Sequence, residues 1–371
     1  MSRYDAYLRP CRTALDGSFD EGRQLFSYQL LGARWRRIDD IHPHETLTGS
    51  CIALIGAARD TGGDGVVIEG LDVDRCLYAT RRELRRTGYL GGLGLVLWAD
   101  AVAAEEPNPF RVAASASSGL ADIGPLLAPA LTTMEAAWLL SGLCHQFSRL
   151  GSAELESAAG TALDELRGRM VHETSLMRHT GERTPLARIR ARGADFEDQI
   201  HSVQAFAFAA LVLADADAAS RSCRLAQRQC EMQGEMGEWY RRFDPERGRA
   251  SRRYPLHSVY QHGLAPMAFA ACRAATGLSF ADSVNRSLEW IEHNESGYSM
   301  FDPGAGTIWR GLDRRTAAPS RTTRRLAERA GRADVHPGAV ILNREARPSE
   351  WAWCLYAAAI DDNRAKDHAI V

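Results

Sequence analysis

The sequence predicts an all-α protein in which helical hairpins close into an α/α toroid. Mostly apolar helical segments alternate with amphipathic ones along the 371 residues, which is the pattern of helices that lie inside and outside a ring. The alternation recurs roughly every 40 to 60 residues, the range in which helical-pair repeats fall. About six pairs fit into the chain at this spacing. An open superhelix of the same pairs is the alternative.

The first helices of this pattern lie before residue 106. Residues 45–60 have the apolar spacing of a helix, and a Gly-rich stretch from Gly62 to Gly65 interrupts it. Residues 71–88 form an amphipathic helix that Gly88 ends, because glycine is the usual residue after a helix C-terminus. The Gly-punctuated apolar segment 91–105 lacks a polar face, which predicts a buried helix.

The same order of apolar and amphipathic helices continues through the rest of the chain. A short stretch, 119–130, is a weaker helix candidate. The following pairs are closely joined, the first by a Gly-Ser turn that makes its helices antiparallel neighbours. The pairs are 132–151 with 153–171, 195–215 with 216–233, and 257–277 with 279–295, and a last buried helix covers 350–361.

Two segments between the helical pairs are predicted to be β-hairpins. Residues 239–254 (WYRRFDPERGRASRRY) alternate bulky and charged side chains around an Asp-Pro-Glu-Arg-Gly turn, which is typical of a hairpin. Residues 297–312 have a similar pattern. We therefore expect residues 1–44 to form an N-terminal extension, residues 45–362 a single toroid domain with one or two hairpin insertions, and residues 363–371 a tail.

Composition argues against several classes of partner. The formal net charge is −2, so no excess of positive charge favours nucleic acid. The N-terminus lacks the apolar core of a signal peptide, and no window approaches about 18 uninterrupted apolar residues, so we expect no membrane span. The eight cysteines are scattered without a Cys-x-x-Cys pair, which is typical of reduced core residues in a cytoplasmic protein. The sequence leaves the oligomeric state open.

Motifs for metal, nucleotide and acyl-serine chemistry are absent from the sequence. There is no His-Glu-x-x-His, and His42-Pro43-His44 is too short and isolated to specify a metal ligand set. No phosphate-binding Gly-x-x-x-x-Gly-Lys loop, dinucleotide fingerprint or Gly-x-Ser-x-Gly elbow occurs. We therefore predict neither a metal nor a cofactor.

The N-terminal ends of the inner helices of a toroid are expected to face its funnel, and two segments carry reactive side chains there. The first segment, Asp195 to His201, opens an apolar helix with three acids. Asp195 followed three residues later by Asp198 fits a helix cap, so capping is the alternative to chemistry. We predict Asp198 and His201 as catalytic candidates, and Gln199 as a substrate-binding residue.

The second segment covers residues 254–262, YPLHSVYQH. His257 and Gln261 are four residues apart, as are Ser258 and His262, so polar groups lie on two faces of a helix that should be buried. A single buried histidine is ordinary packing, whereas two histidines, two tyrosines and a glutamine together favour a site. The predicted catalytic residues are Tyr254, His257, Tyr260 and His262, with Gln261 in substrate binding.

Polar and aromatic residues in the flanking segments are expected to bind the substrate. They precede or end the first hairpin, or they lie in the long loop 172–194. Loops of that length inside a domain are often functional, and arginine suits carboxylates and phosphates. The candidates are Gln233, Glu235, Trp239, Arg252, Arg253, Arg188 and Arg190.

The segment from Gln233 to Trp239, QGEMGEW, resembles the Gln-x-x-x-Gly-x-Trp motif of squalene–hopene and related class II terpene cyclases, which are also built on α/α barrels. Those cyclases share an Asp-x-Asp-Asp proton donor. In this chain Asp72-Val73-Asp74 is followed by Arg75, so the resemblance leaves a cyclase without its acid.

A longer stretch resembles the C-terminal α/α domain of the heparosan and heparan D-glucuronyl C5-epimerases. It runs from Gln233 through the first hairpin and His257-Ser258 to Gly263-Leu264-Ala265, and it ends with Phe301 to Trp309. The rest of the chain is similar to uncharacterised bacterial proteins associated with polysaccharide clusters. In those proteins an acid often follows the glutamine at position 261, and His262 is a departure from that pattern.

The second resemblance implies a carbohydrate-active enzyme, epimerase-like or lyase-like, that removes a proton next to the carboxylate of an acidic sugar or oligosaccharide. This chemistry needs a base, a cation for the carboxylate and an acid on the opposite face. A terpene or prenyl cyclase with aromatic side chains around carbocations is the first alternative, and a non-catalytic toroid that binds a glycan or a protein is the second. Glycoside hydrolysis would need two carboxylates, for which Asp198 and Glu235 are the suggestive pair.

Overall fold

A computed structural model describes residues 4–27, 30–31, 43–60, 68–120, 123, 131–181, 193–314 and 340–361. Within these residues the chain forms twelve α-helices joined by turns and short strands. The helices are α1 (Asp5–Ser18), α2 (Pro43–Arg59), α3 (Val73–Thr87), α4 (Leu93–Ala103), α5 (Pro109–Ser115), α6 (Thr133–Leu150), α7 (Ala153–Gly168), α8 (Phe196–Val212), α9 (Ala216–Glu231), α10 (Ala265–Thr276), α11 (Ala281–Glu292) and α12 (Pro348–Asp361).

The even-numbered helices form a closed inner ring. Each of them packs against the next even-numbered helix, and α12 packs against α2. The odd-numbered helices lie outside: α3, α7 and α9 each cover the inner helix that precedes them, and α1 packs on α12. The outer helices are amphipathic because only one face meets the ring. The closing contact confirms the predicted α/α toroid and excludes the open superhelix.

The inner helices run in the same direction. At the N-terminal ends of α6 and α8, the Met134 N–H donates to the Asp198 carboxylate over 3.0 Å, and further along the same two helices the His145 and Phe208 rings are 4.8 Å apart. The N-terminal ends of the inner helices therefore meet at one end of the ring, which we call the mouth.

Aromatic side chains fill the axis of the ring below the mouth. Trp98 of α4 lies 4.8 to 5.9 Å, between ring centroids, from four other rings. These are His145, Phe208, Trp353 and Tyr356, and all are buried. Aromatic pairs at these separations add about 0.5 to 1.5 kcal/mol each to the effect of burial. The axis is thus a packed core, and the side chains a ligand can reach lie at the helix ends.

Two glycines allow α4 and α6 to approach closely. A Cβ added to Gly94 would overlap the backbone of Leu139, and a Cβ added to Gly142 would overlap the carbonyl of Gly94. The Gly-punctuated apolar pattern in the sequence reflects this close contact, because no larger side chain fits between the two backbones.

Short strands connect the helices, and they pair into small antiparallel sheets. The three-stranded sheets have the orders β4-β5-β6 and β11-β10-β7, and the pairs are β1-β2, β3-β12 and β8-β9. The strands are β1 (Phe19–Asp20), β2 (Leu25–Phe26), β3 (Leu30–Leu31), β4 (Ala194–Asp195), β5 (Arg242–Asp244), β6 (Arg249–Arg252), β7 (Leu256–His257), β8 (Phe301–Asp302), β9 (Thr307–Ile308), β10 (Gly311–Arg314), β11 (Val340–Asn343) and β12 (Glu345–Ala346). Both predicted hairpins are present, as β5-β6 and β8-β9.

The start of α10 differs from the sequence-based expectation of one helix over 257–277. The segment begins with β7 and a wide π-helical turn, Tyr260–Leu264, in which the Ala265 N–H donates to the Tyr260 carbonyl. Pro266 has no N–H to donate to the carbonyl four residues earlier, and a wide turn accommodates that missing bond. Helices α1 and α5 were not expected from the sequence pattern, and most of the candidate 119–130 lies outside the described residues.

None of the described helices combines the length and the apolarity that crossing a bilayer requires.

Candidate active site

Charged and polar side chains from every inner helix or the turn before it surround the mouth. The chain of contacts starts with the His44 and Tyr89 rings, 5.4 Å apart, and Tyr89 donates a hydrogen bond of 2.6 Å to Glu135. It returns to the start through an ion pair of 3.5 Å between Arg347 and Glu45. We call the following residues the mouth residues: Glu45, Tyr89, Glu135, His179, Glu197, Asp198, Arg241, His257, Tyr260, Arg310, Arg347 and Glu350.

Helix capping explains why acids stand at several of these places. Glu135 is the third residue of α6 and accepts the Thr132 N–H over 2.7 Å, while Thr132 Oγ1 accepts the Glu135 N–H over 3.3 Å. Asp198 is the third residue of α8 and accepts the Asp195 N–H over 2.9 Å. Carboxylates are favoured at these positions by the exposed N–H groups and by the helix dipole. Capping therefore brings acids to the mouth.

Glu197 and Tyr260 form the central pair of the candidate site. The Tyr260 hydroxyl donates to Glu197 Oε1 over 2.7 Å, and Glu197 Oε2 is a buried atom with no hydrogen-bond partner among the described residues. Burial and then the nearby Asp195 carboxylate raise the pKa of Glu197 to about 6. Burial also raises the pKa of Tyr260, which therefore keeps its proton and acts as the donor. Glu197 is thus a carboxyl group that can take or give a proton near neutral pH.

Two guanidinium groups, of Arg241 and Arg310, interact electrostatically with this pair. The half-buried Arg241 side chain makes no hydrogen bond or ion pair with any residue in the described part of the chain, although its charge interacts with Tyr260, Asp195 and Glu197. Its backbone carbonyl accepts the Phe196 N–H over 2.8 Å, which fixes its position at the start of α8. The charge of Arg310 also interacts with Tyr260 and Glu197, but Arg310 is committed to ion pairs with Glu350 and Glu345. Among the described mouth residues, Arg241 is therefore a cation that is available to an anionic ligand.

Arg310 ties the C-terminal part of the ring to the π-helical turn. It forms ion pairs of 3.0 Å with Glu350 and 3.4 Å with Glu345, and its carbonyl accepts the Ser258 N–H over 2.8 Å. Burial raises the pKa of Glu350, and Glu350 Oε2 has no hydrogen-bond partner within the described residues. Glu350 is a second mouth acid that lacks a full set of partners.

His257 is a neutral imidazole beside the central pair. Its ring meets the Tyr260 ring edge-on at 5.1 Å, and only 7% of the residue is exposed. Burial, and then the positive charges of Arg310 and Arg241, lower its pKa well below the usual value. A neutral histidine at this place can accept a hydrogen bond without adding charge to the site.

His179 and Asp198 form a second acid–base pair, between α6 and α8. His179 Nδ1 donates to Asp198 Oδ2 over 2.8 Å, and that hydrogen bond raises the pKa of His179. Asp198 itself is buried, and burial raises its pKa. The pair lies on the other side of the α8 N-terminus from Glu197, which points to Tyr260.

Three of the catalytic candidates from the sequence, Asp198, His257 and Tyr260, are mouth residues. His201 lies one turn deeper, with its ring 5.5 Å from Trp138 and 5.9 Å from Trp353, and burial lowers its pKa to about 3. His262 is buried against α12, where its Nε2 donates to the Glu350 carbonyl over 3.2 Å. Burial lowers the pKa of His262 to about 4.

The remaining catalytic candidate, Tyr254, lies in a network that joins the first hairpin to α11. Its hydroxyl donates to Glu295 Oε1 over 2.7 Å, and Trp290 donates to the other oxygen of that carboxylate over 3.0 Å. Arg253 bridges Glu295 and the buried Glu238, at 3.0 and 2.5 Å. Tyr254 and Arg253 are thereby committed to this network and are not among the mouth residues. The Arg252 side chain, Arg188 and Arg190 lie outside the described residues.

Gln199 and Gln261 bind backbone. Gln199 accepts the Met177 N–H over 2.8 Å and donates to the carbonyl of the same residue over 2.9 Å, which anchors the loop after α7. Gln261 donates to the His257 carbonyl over 3.4 Å within the π-helical turn. Both side chains are buried, so the structure places them below the surface that a ligand would touch.

The Gln-x-x-x-Gly-x-Trp segment joins the first hairpin to α11. Gln233 donates to the carbonyls of Gly237 and Ser283, over 2.8 and 2.9 Å. Gly237 has φ of +96°, and a Cβ there would overlap the carbonyl of Arg286. Trp239 is buried next to Phe196 and Phe269, whereas Glu235 is exposed. These contacts give the motif a structural role.

Sequence reasoning did not single out Glu197, Arg241, Arg310 or His179. Glu197 lies inside the predicted segment Asp195 to His201, where only its position next to the capping acid Asp198 distinguishes it. Arg241 directly precedes β5 and Arg242 begins it, and neighbouring residues of an extended strand point to opposite faces. That alternation could have predicted that Arg241 and Arg242 point to different faces of the hairpin. Nothing local marked Arg310 or His179, because their partners are distant in sequence.

No group of three or more His, Cys, Asp or Glu side chains is placed to hold a metal ion within the part of the chain that the structure covers.

The comparisons with known proteins identify fold relatives only. No protein-family model matches the chain, and no curated protein matches its sequence. Solved structures do match along almost the whole length.

An unsaturated glucuronyl hydrolase from Bacillus sp. GL1, described as responsible for the degradation of glycosaminoglycan, has 16% identity over 97% of this chain and 96% of its own, with a TM-score of 0.59. An unsaturated glucuronyl hydrolase specific for heparin has 11% identity over 96% and 95%, with a TM-score of 0.61. A cellobiose 2-epimerase from Spirochaeta thermophila has 10% identity over 96% and 98%, with a TM-score of 0.56. At these identities the likeness establishes that the chain has the α/α-toroid fold of these structures.

Proposed function

We propose that this protein is a carbohydrate-active enzyme that moves a proton at the carbon next to the carboxylate of a uronate sugar. The observation that carries the proposal is the position of the Arg241 guanidinium beside the Glu197–Tyr260 pair, with no hydrogen-bond or ion-pair partner among the described residues. A half-buried cation in this situation favours an anionic ligand. A carboxyl group whose pKa is about 6 lies beside it to exchange the proton.

The chemistry assigns one role to each group. Arg241, supported by Arg310, binds the sugar carboxylate and stabilises the negative charge that develops on it when the proton leaves. Glu197 Oε2, which has no hydrogen-bond partner among the described residues, accepts the proton from carbon. The Tyr260 hydroxyl holds Glu197 Oε1 in place, and neutral His257 offers a further hydrogen bond.

The structural comparisons support a carbohydrate substrate. The matching structures are described as glucuronyl hydrolases and sugar epimerases, and two of the hydrolases are linked to glycosaminoglycan and to heparin. Both kinds of enzyme act on sugars, and glucuronyl groups carry the carboxylate that Arg241 would bind. The C5-epimerase resemblance in the sequence points to the same substrate class.

A second candidate reaction is proton donation to an unsaturated uronate, which would lead to hydrolysis. The raised pKa of Glu197, about 6, favours it, because a fraction of this carboxyl group is protonated at neutral pH and can act as a general acid. In that reaction the Glu197 proton would be added to the sugar rather than taken from it.

Incubation in D₂O with a panel of uronate oligosaccharides tests the proposal. Proton abstraction predicts deuterium at C5 by mass spectrometry and NMR, and hydrolysis predicts loss of the ultraviolet absorbance of an unsaturated uronate. Glu197→Gln and Arg241→Gln should each abolish the observed reaction, while Arg249→Gln, an exposed arginine of the same hairpin, should leave it unchanged. No reaction with either class of sugar across the panel would reject the proposal. Products from prenyl diphosphates would then favour the cyclase alternative.

A further inference from the structure

We propose that His179 is a second catalytic residue, which gives a proton to the sugar on the face opposite Glu197, so that the reaction is an epimerisation. This inference rests on the proposed function and adds the proton donor that inversion at a carbon atom needs. The starting observation is the hydrogen bond of 2.8 Å from His179 Nδ1 to Asp198 Oδ2.

The Asp198 carboxylate is rigidly held. Oδ1 accepts the Met134 N–H over 3.0 Å, and Oδ2 accepts the Asp195 N–H over 2.9 Å as well as the histidine. The residue is 1% exposed. A buried carboxylate with these bonds orients an imidazole and stabilises its protonated form, which is the arrangement of a general acid or base with a positioning partner.

The backbone of His179 is held as firmly as its ring. Its carbonyl accepts the Thr133 N–H over 2.8 Å, and Thr133 Oγ1 donates to the carbonyl of Arg178. Thr180 forms an isolated β-bridge with Thr132. These bonds attach the segment to the N-terminus of α6 on both sides of His179. Because Nδ1 is used by Asp198, Nε2 is the nitrogen that can meet a ligand, and 31% of the side chain is exposed at the mouth.

The two acid–base pairs approach the mouth from different directions. Glu197 and Asp198 are adjacent in the first turn of α8, and adjacent residues of a helix point about 100° apart. Glu197 therefore reaches Tyr260 at the α8–α10 boundary, while Asp198 reaches His179 at the α6–α8 boundary. Asp195 lies close enough to both to influence the pKa of Glu197 and of His179. A sugar ring bound over the N-terminus of α8 would have one group on each side.

The proposed step balances as follows. The C5–H bond breaks, its proton goes to Glu197 Oε2, and its electron pair moves into the sugar carboxylate to give an enediolate. That electron pair then forms a new C5–H bond on the other face with the proton from His179 Nε2, which leaves neutral imidazole. Exchange with water resets both groups.

Exchange and epimerisation measured separately in D₂O, starting from each pure epimer, test this role. For His179→Gln we expect net epimerisation to fall on the order of a hundredfold or more, while C5 exchange from the epimer that Glu197 deprotonates continues. His179→Ala should regain epimerisation when imidazole is added, because a small base can fill the space. His172→Gln changes an exposed histidine of the same loop and should match the wild type.

The outcomes separate the two proposals. A wild-type protein that exchanges no C5 proton from either epimer rejects the proposed function itself. If the wild type exchanges and epimerises, epimerisation by His179→Gln at the wild-type rate rejects only the role of His179. Loss of exchange from both epimers together with a lower melting temperature, and no response to imidazole, would identify His179 as a structural residue and also overturn the inference.

Discussion

Replacing Glu197 by glutamine should remove activity and raise stability at neutral pH. Glutamine has nearly the same shape and can still accept the Tyr260 hydrogen bond, but it has no charge to bury. The pKa of Glu197 in the folded protein is about 6, against an ordinary value of 4.5. Since one pKa unit corresponds to about 1.4 kcal/mol, ionised Glu197 destabilises the folded state by about 2 kcal/mol.

The sign of this effect defines the pH window. Below pH 4.5 the carboxyl group is protonated in both the folded and the unfolded state, so the wild type and Glu197→Gln should be equally stable. Between pH 4.5 and about 6 the unfolded state loses its proton first, and the wild type loses stability as pH rises. Above that range the difference should stay constant at about 2 kcal/mol, or about 2 to 3 °C in melting temperature for a chain of this size.

Thermal and urea unfolding between pH 4 and pH 8 would measure this difference. The control is Glu106→Gln, which neutralises an exposed glutamate and should show no pH-dependent gain. A variant at position 197 that is less stable than the wild type at every pH would refute the reasoning, because it would mean that the carboxylate is a satisfied structural anion.

Three further predictions concern packing, the mouth cations and acid sensitivity. Gly94→Ala should lower the free energy of unfolding by several kcal/mol, roughly the cost of overpacking, because the added methyl group overlaps backbone atoms. Gly160→Ala, at an open position of α7, should instead stabilise the protein by about 0.5 to 1 kcal/mol. Thermal melting compares the two variants, and equal stabilities would contradict the close contact between α4 and α6. Arg241→Gln should weaken substrate binding and leave the melting temperature nearly unchanged. Arg310→Gln should instead cost about 3 kcal/mol or more, because it removes the ion pair of a buried carboxylate. A large loss of stability in Arg241→Gln would show that its guanidinium has a structural role. The pKa of His201 in the folded protein is about 3, below its ordinary value of 6.5, so the unfolded state takes up the proton first as pH falls below 6.5. His201→Gln should therefore lose less stability than the wild type between pH 6.5 and pH 4. Parallel pH profiles of the two proteins in urea titrations would exclude this effect of His201.

The arrangement of helices could be predicted from the sequence because the pattern of apolar residues along each helix reflects which of its faces are buried. The inner helix α4 is apolar on all sides and the outer helix α3 on one side only, and this difference follows from which faces are buried. The hairpin around Asp244 to Gly248 was equally visible, since its turn residues have local conformational requirements. Helices α1 and α5 were not predicted, because the N-terminal segment that contains α1 is polar and α5 is short.

The candidate site was visible in part. The segments 195–201 and 254–262 supply Glu197, Asp198, His257 and Tyr260, so the pattern of reactive residues at the start of apolar helices indicated two of the helix ends that form the mouth. The pattern did not distinguish neighbours within those segments. His257 lies at the mouth and His262 is buried against α12, and the π-helical turn between them alters the simple helical spacing on which the prediction relied.

The amino-acid sequence thus indicated most of the helical segments, which of those helices are buried and where two clusters of reactive side chains begin, because burial and turn preferences act over a few neighbouring residues. The partnerships at the mouth depended on closure of the ring. Arg241 comes within electrostatic range of Glu197, Arg310 pairs with Glu350, and His179 binds Asp198 only after six parallel helices place their N-termini together. Distances of this kind span separate helical hairpins, so no local pattern encodes them, and the same closure sets the burial that raises the pKa of Glu197.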